Sequence, residues 1–113
     1  FDAVVATTSS SPAYVYMFIE AMADGAVKLG LPRKVAIQAA AQAVLGSAKM
    51  VLCSGEHPAQ LKDNVCSPAG TTIEAVAVLE KSGLRGIIMN AMDACAQRNR
   101  KFAQAYERRK NER

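Results

Sequence analysis

The chain has 113 residues, half of them apolar, and a net charge of +4. That is the size of one domain with one sizeable core. No run of about eighteen uncharged apolar residues and no secretory leader pattern is present, which argues against spanning and secreted classes.

The charge is uneven. From Arg98 onward, seven basic residues face only Glu107 and Glu112, so the tail carries +5 and the rest −1. A basic tail is compatible with nucleic-acid binding. No stacking platform or groove-reading motif accompanies it, so it reads as a solvated helix end whose cations complement the dipole. The cysteines Cys53, Cys66 and Cys95 are odd in number and widely spaced, and His57 is the single histidine. No metal site is expected from that set, and free thiols suit a reducing cytosol. The chain starts at Phe1 without an initiator methionine, which reads as a processed product or a fragment.

In chain order, residues 1–11 are expected to be extended and then loop-like, with the Thr7–Ser11 run capping a helix that has Pro12 at its first position. A first long helix is predicted over 12–29. Its polar positions Glu20, Asp24 and Lys28 form one narrow stripe, and nearly everything else is apolar. Such a helix must be buried on most sides, which a lone domain of this size seldom achieves, so it is expected between subunits. Gly30 stops it and Pro32 opens a second helix, 32–53, rich in alanine and polar along Lys34, Gln38 and Gln42. A short third helix runs from His57–Pro58 to about Asn64. Pro68 and Gly70 punctuate the next loop. A fourth helix starts near Thr71, where Thr71 and Glu74 have capping-box spacing, and ends at Ser82–Gly83. A fifth runs from Leu84 into the basic tail. With no alternating strand, the prediction is an all-α fold of about five helices.

The loop from Val65 to Thr72 is the candidate site. The helix behind it opens with unpaired N–H groups and the positive end of a dipole, which suit a carboxylate or phosphate. Taken alone, Ser-Pro-Ala-Gly-Thr-Thr before a helix reads first as a generic cap. His57 reads as a cap residue ahead of Pro58 rather than an acid or base. Glu20 and Asp24 share their stripe with Lys28 and read as a charge row rather than a carboxylate pair. Cys66 reads as a small loop filler, and the methionines as core or interface fillers.

The span from Pro58 to Glu80 closely resembles the signature of pyrroline-5-carboxylate reductase. Pro58, Leu61, Val65, Cys66-Ser67, Gly70 with Thr71-Thr72, and Leu79-Glu80 stand at that family's spacing. Ser10-Ser11-Pro12-Ala13-Tyr14, Phe18-Ile19-Glu20-Ala21, Gly30-Leu31-Pro32-Arg33 and Gln42-Ala43-Val44-Leu45-Gly46 extend the likeness over essentially the whole chain. The chain departs from it at Ser9, Ser11 and Ala69, where many relatives have glycine.

The resemblance implies that residues 1–113 are a C-terminal, interlocked helical dimerisation and substrate-binding domain. The N-terminal Rossmann domain is not in this chain, which has no G-x-G-x-x-G. It implies a cytoplasmic enzyme of proline biosynthesis that reduces Δ1-pyrroline-5-carboxylate to proline with NADPH or NADH. No cofactor is expected on this chain alone, which would then be inactive in isolation. Thr72 is implied as the catalytic hydroxyl at the ring nitrogen. Ser67, Gly70, Thr71 and Thr72 would bind substrate, while Asn64 and Val65 would touch the cofactor. The implied partners are a second copy of the chain, rings of five such dimers (a decamer), and the small-molecule substrate, with neither nucleic acid nor membrane. The alternative from composition is a non-enzymatic helical oligomerisation module with a basic tail.

Overall fold

The computed structural model describes residues 1–112, and all regular structure among them is helical. A short helix α1 (Asp2–Val4) runs into a π-helical turn (Val5–Ser9). Five longer helices follow: α2 (Ser11–Lys28), α3 (Arg33–Ser54), α4 (Pro58–Val65), α5 (Thr71–Lys81) and α6 (Leu84–Asn111). The all-α expectation and the five helices hold: α2 to α5 begin and end within a residue or two of the expected places, and α6 starts at Leu84 and runs into the basic tail.

The first eleven residues are a correction: Asp2–Val4 and Val5–Ser9 are helical, not extended or loop-like. The Thr/Ser run does not break the helix because its hydroxyls fold back onto it. Thr7 Oγ1 donates to the Ala3 carbonyl at 2.7 Å and Thr8 Oγ1 to Val4 at 2.7 Å, and Ser11 Oγ donates to Thr7. Such back-bonding to the carbonyl four residues earlier disturbs the ladder without ending it. The ladder here slips by one residue, with Ser10 N–H donating to the Val5 carbonyl at 3.0 Å, which is a π-bulge.

The other punctuation follows local chemistry. Past α2, Leu31 N–H reaches the Ala26 carbonyl at 3.0 Å and Gly30 N–H reaches Val27 at 2.9 Å. Gly30 has φ 112°. This is a Schellman motif with glycine in the one place that needs positive φ. Pro32 then caps α3 rather than opening it, with φ −59° and ψ 144°. Gly55 (φ 71°) closes α3, and Gly83 (φ 80°) separates α5 from α6.

The chain divides into two compact units, one made of Phe1–Tyr14 with the segment from Leu79 onward, the other of Val15–Val78. In the first, α1 and the π-turn pack on α6. Asp2 anchors them: its carboxylate accepts from Asn99 Nδ2 at 2.7 Å and from Arg100 Nε at 3.2 Å. Both contacts hold the Asp2 carboxyl below the usual range, the Asn99 hydrogen bond most of all. The Tyr14 hydroxyl is buried and has no hydrogen-bond partner among the described residues. The Cys95 thiol beside it, together with burial, pushes that phenol up.

In the second unit, Ala23, Ala36 and Ala40 form a small seam between α2 and α3, with Ile19, Ala26 and Val27 against it. Arg33 pairs with Asp24 across the connection. Among the described residues only Ala6 joins those three alanines as a buried apolar residue, whereas Tyr16 and Met17 of α2, Leu45 and Leu52 of α3, and Ile87 and Met89 of α6 are each three-fifths exposed or more. The apolar character of α2 is thus not consumed within the chain. Helix α3 is by length and composition long and apolar enough to cross a membrane. Lys34 and Lys49 keep it from being one unbroken uncharged run.

Candidate functional site: the turn before helix α5

Helix α4 begins on His57, whose ring Nδ1 accepts the Ala59 N–H at 3.0 Å. His57 is therefore a cap, as expected from its place before Pro58. On the last turn of α4 Asn64 and Val65 are both exposed. Asn64 Oδ1 accepts from Gln60 Nε2 at 2.8 Å. The helix ends at Cys66, whose N–H returns to the Asp63 carbonyl at 3.1 Å. Cys66 is half-buried and free.

A tight turn follows. Gly70 N–H donates to the Ser67 carbonyl at 3.1 Å. Pro68 takes the second position, which its fixed φ suits, and Ala69 the third with φ 57°. A positive φ at the third position is the signature of a type II-like turn and ordinarily recruits glycine. Among the described residues Ala69 is the one non-glycine with positive φ. Gly70 is constrained differently. A Cβ placed there would lie 2.4 Å from Ser67 Oγ and 3.2 Å from the Ser67 carbonyl oxygen.

Thr71 is the first residue of α5, so the position ahead of the helix belongs to Gly70. The expected Thr71–Glu74 capping box fails for that reason: Thr71 lies one residue too far into the helix. Thr71 is exposed and Thr72 half-buried. Neither side chain, nor that of Ser67, has a hydrogen-bond partner among the described residues. The first N–H groups of an α-helix have no intrahelical acceptor. Over one short stretch the chain therefore presents unpaired amides, two threonine hydroxyls and a serine hydroxyl at the positive end of a dipole. Donors of that kind suit a carboxylate, with one hydroxyl to spare for a neighbouring polar atom.

Ser67, Gly70, Thr71 and Thr72 thus sit together on the turn and the first turn of α5. Asn64 and Val65 lie across the loop, at the end of α4. Two concavities lie elsewhere. One of about 430 Å³ is lined by Asp2 and the outer turns of α6, and one of about 470 Å³ by Tyr16, Glu20, Asp24, Arg33 and neighbours. Neither includes a predicted site residue. No group of three His, Cys, Asp or Glu side chains among the described residues is placed to hold a metal. Sequence reading missed the Tyr14–Cys95 and Asp2–Asn99–Arg100 contacts. The partners lie too far apart in the chain for any spacing rule to join them.

Residues 1–102 match the family model described as pyrroline-5-carboxylate reductase dimerisation. The pyrroline-5-carboxylate reductase of Escherichia coli is 60% identical over 102 residues, which are 90% of this chain and 38% of that protein. The crystal structure of a Plasmodium falciparum pyrroline carboxylate reductase with NADP bound superposes with a TM-score of 0.83 and 39% identity, over 86% of this chain and 37% of that one. A Coxiella burnetii pyrroline-5-carboxylate reductase gives 0.86 and 36%, over 88% and 37%. The chain therefore spans under two-fifths of the length of these relatives. Its match takes in the whole of the turn before α5, and on that match the chain belongs to the pyrroline-5-carboxylate reductase dimerisation family.

Proposed function

We propose that this chain is the C-terminal, dimer-forming and substrate-binding domain of a cytoplasmic enzyme that reduces Δ1-pyrroline-5-carboxylate to proline. The observation that carries the reading is the match over residues 1–102, with the exposed opening turn of α5 inside it. In this reading the substrate carboxylate takes the Thr71 and Thr72 amides and the Ser67 hydroxyl. Preorganised donors of this kind cost little reorganisation when charge is bound. A protonated C=N is the better hydride acceptor. Thr72 Oγ1 accepts the ring N–H and so holds that protonated form in place. The C=N carbon gains the hydride, and the nitrogen, keeping its proton, becomes the secondary amine of proline.

The hydride is supplied by NADPH or NADH, bound on a Rossmann domain outside this chain. Asn64 and Val65, exposed on the last turn of α4, fit an edge contact to that dinucleotide and not a site of their own. The relative with NADP bound supports this cofactor class. The unsatisfied apolar faces of α2, α3 and α6 support a homodimer, and we place the membrane-length helix α3 in that interface. Assembly of such dimers into a decameric ring is the further form this reading allows.

The test is Thr72→Ala in the enzyme carrying this domain. Turnover is expected to fall at least tenfold, while stability changes by no more than about 1 kcal/mol, the scale of a lost helix-end hydroxyl. Unchanged turnover would return the loop to a capping role and favour the non-enzymatic oligomerisation module.

A further inference from the structure

We infer that Gly70 acts as a positioning residue: its missing side chain leaves the space into which the Ser67 hydroxyl is folded, at the mouth of helix α5. The inference rests on the substrate-site reading above and specifies how that site is held. Ser67 has no hydrogen-bond partner among the described residues to fix its rotamer, so space must do it. The hydroxyl lies 2.4 Å from where a Gly70 Cβ would stand, well inside van der Waals contact. It therefore fills the volume that any other residue at position 70 would occupy.

The backbone allows little relief. The same Cβ would be 3.2 Å from the Ser67 carbonyl oxygen, and that oxygen accepts the Gly70 N–H at 3.1 Å, closing the turn. Moving residue 70 away from Ser67 would open the turn, and rotating Ser67 would carry its hydroxyl off the helix end. The second movement costs less, since only one side-chain torsion changes. Position 70 thus sets the direction of a donor three residues upstream, at the start of the turn. Its effect on the substrate passes through Ser67.

Steady-state kinetics on the full enzyme carrying Ser67→Ala, Gly70→Ala and the double replacement test this. Each single replacement is expected to raise KM for pyrroline-5-carboxylate about tenfold, the scale of one lost hydrogen bond to a charged group. The kcat is expected to stay within about twofold, because the ring nitrogen still meets Thr72. The double variant is expected to show no larger KM than Gly70→Ala alone, since the hydroxyl has already been displaced there. KM effects that multiply in the double variant would overturn the positioning role, as would a Gly70→Ala enzyme with unchanged KM. A thermal melt of each variant separates these outcomes from misfolding. If Gly70→Ala fails to fold, Ser67→Gly/Gly70→Ala, which removes the colliding oxygen, is expected to recover the fold but not the KM. Loss of fold in that variant too would overturn the steric account. Failure of the site reading itself looks different: Ser67→Ala and Thr72→Ala would then both leave KM and kcat unchanged.

Discussion

Ala69 holds a backbone conformation that its own Cβ opposes. A left-handed conformation costs an L-residue roughly 1–2 kcal/mol, and glycine adds about 0.5–1 kcal/mol of unfolded-state freedom. Ala69→Gly is therefore expected to stabilise the domain slightly, by less than about 1 kcal/mol. Urea unfolding reads this directly, and a clear loss of stability would mean that the turn is not strained. Asp2 gives a pH signature. Its carboxyl is held below the ordinary range by Asn99 and Arg100. The ionised form thus stabilises the fold fully above the unfolded value of about 3.9, and the contribution disappears as pH falls through the folded value. Melting curves between neutral and acidic pH should show Asp2→Asn less stable than the parent near neutrality. The two should converge under acid, and parallel curves would rule the anchor out.

At the scale of elements, the seam between α2 and α3 is built from alanines, so the helices approach closely and leave no space for larger groups. Ala40→Leu is expected to cost about 1–3 kcal/mol by overpacking. A neutral effect in denaturant unfolding would show that the seam opens freely. The helices themselves were legible because glycine and proline stand at their joints: Gly30–Pro32, Gly55, Pro58, Pro68–Gly70 and Gly83. The N-terminal segment was not legible. Thr7, Thr8 and Ser11 are the residues that usually start a turn, and only a folded backbone shows that their hydroxyls return to the carbonyls of Ala3, Val4 and Thr7. The Thr71–Glu74 spacing misled for a related reason. A capping box depends on which residue stands just outside the helix, and the closed Ser67–Gly70 turn puts Gly70 there.

At the scale of the whole molecule, exposed apolar side chains are the decisive feature. In a chain of 12.0 kDa, Tyr16, Met17, Leu45, Leu52, Ile87 and Met89 are each three-fifths exposed or more, and obligate interfaces are built from apolar surface of this kind. Light scattering is expected to give at least twice the mass of one chain, with a melting temperature that rises with protein concentration. A folded species of 12.0 kDa with a concentration-independent melt would remove the dimer. Sequence alone determined the helical class, four of the five long helix boundaries to within a residue or two, the candidate loop and the family, because these depend on residues near one another in the chain. Tertiary structure alone decided that residues 2–9 are helical, that Asp2 is tied to Asn99 and Arg100, that Ala69 is left-handed, and that Ser67 fills the space above Gly70. Each of those rests on a distance or torsion set by backbone that has already folded, which no spacing of residue types encodes.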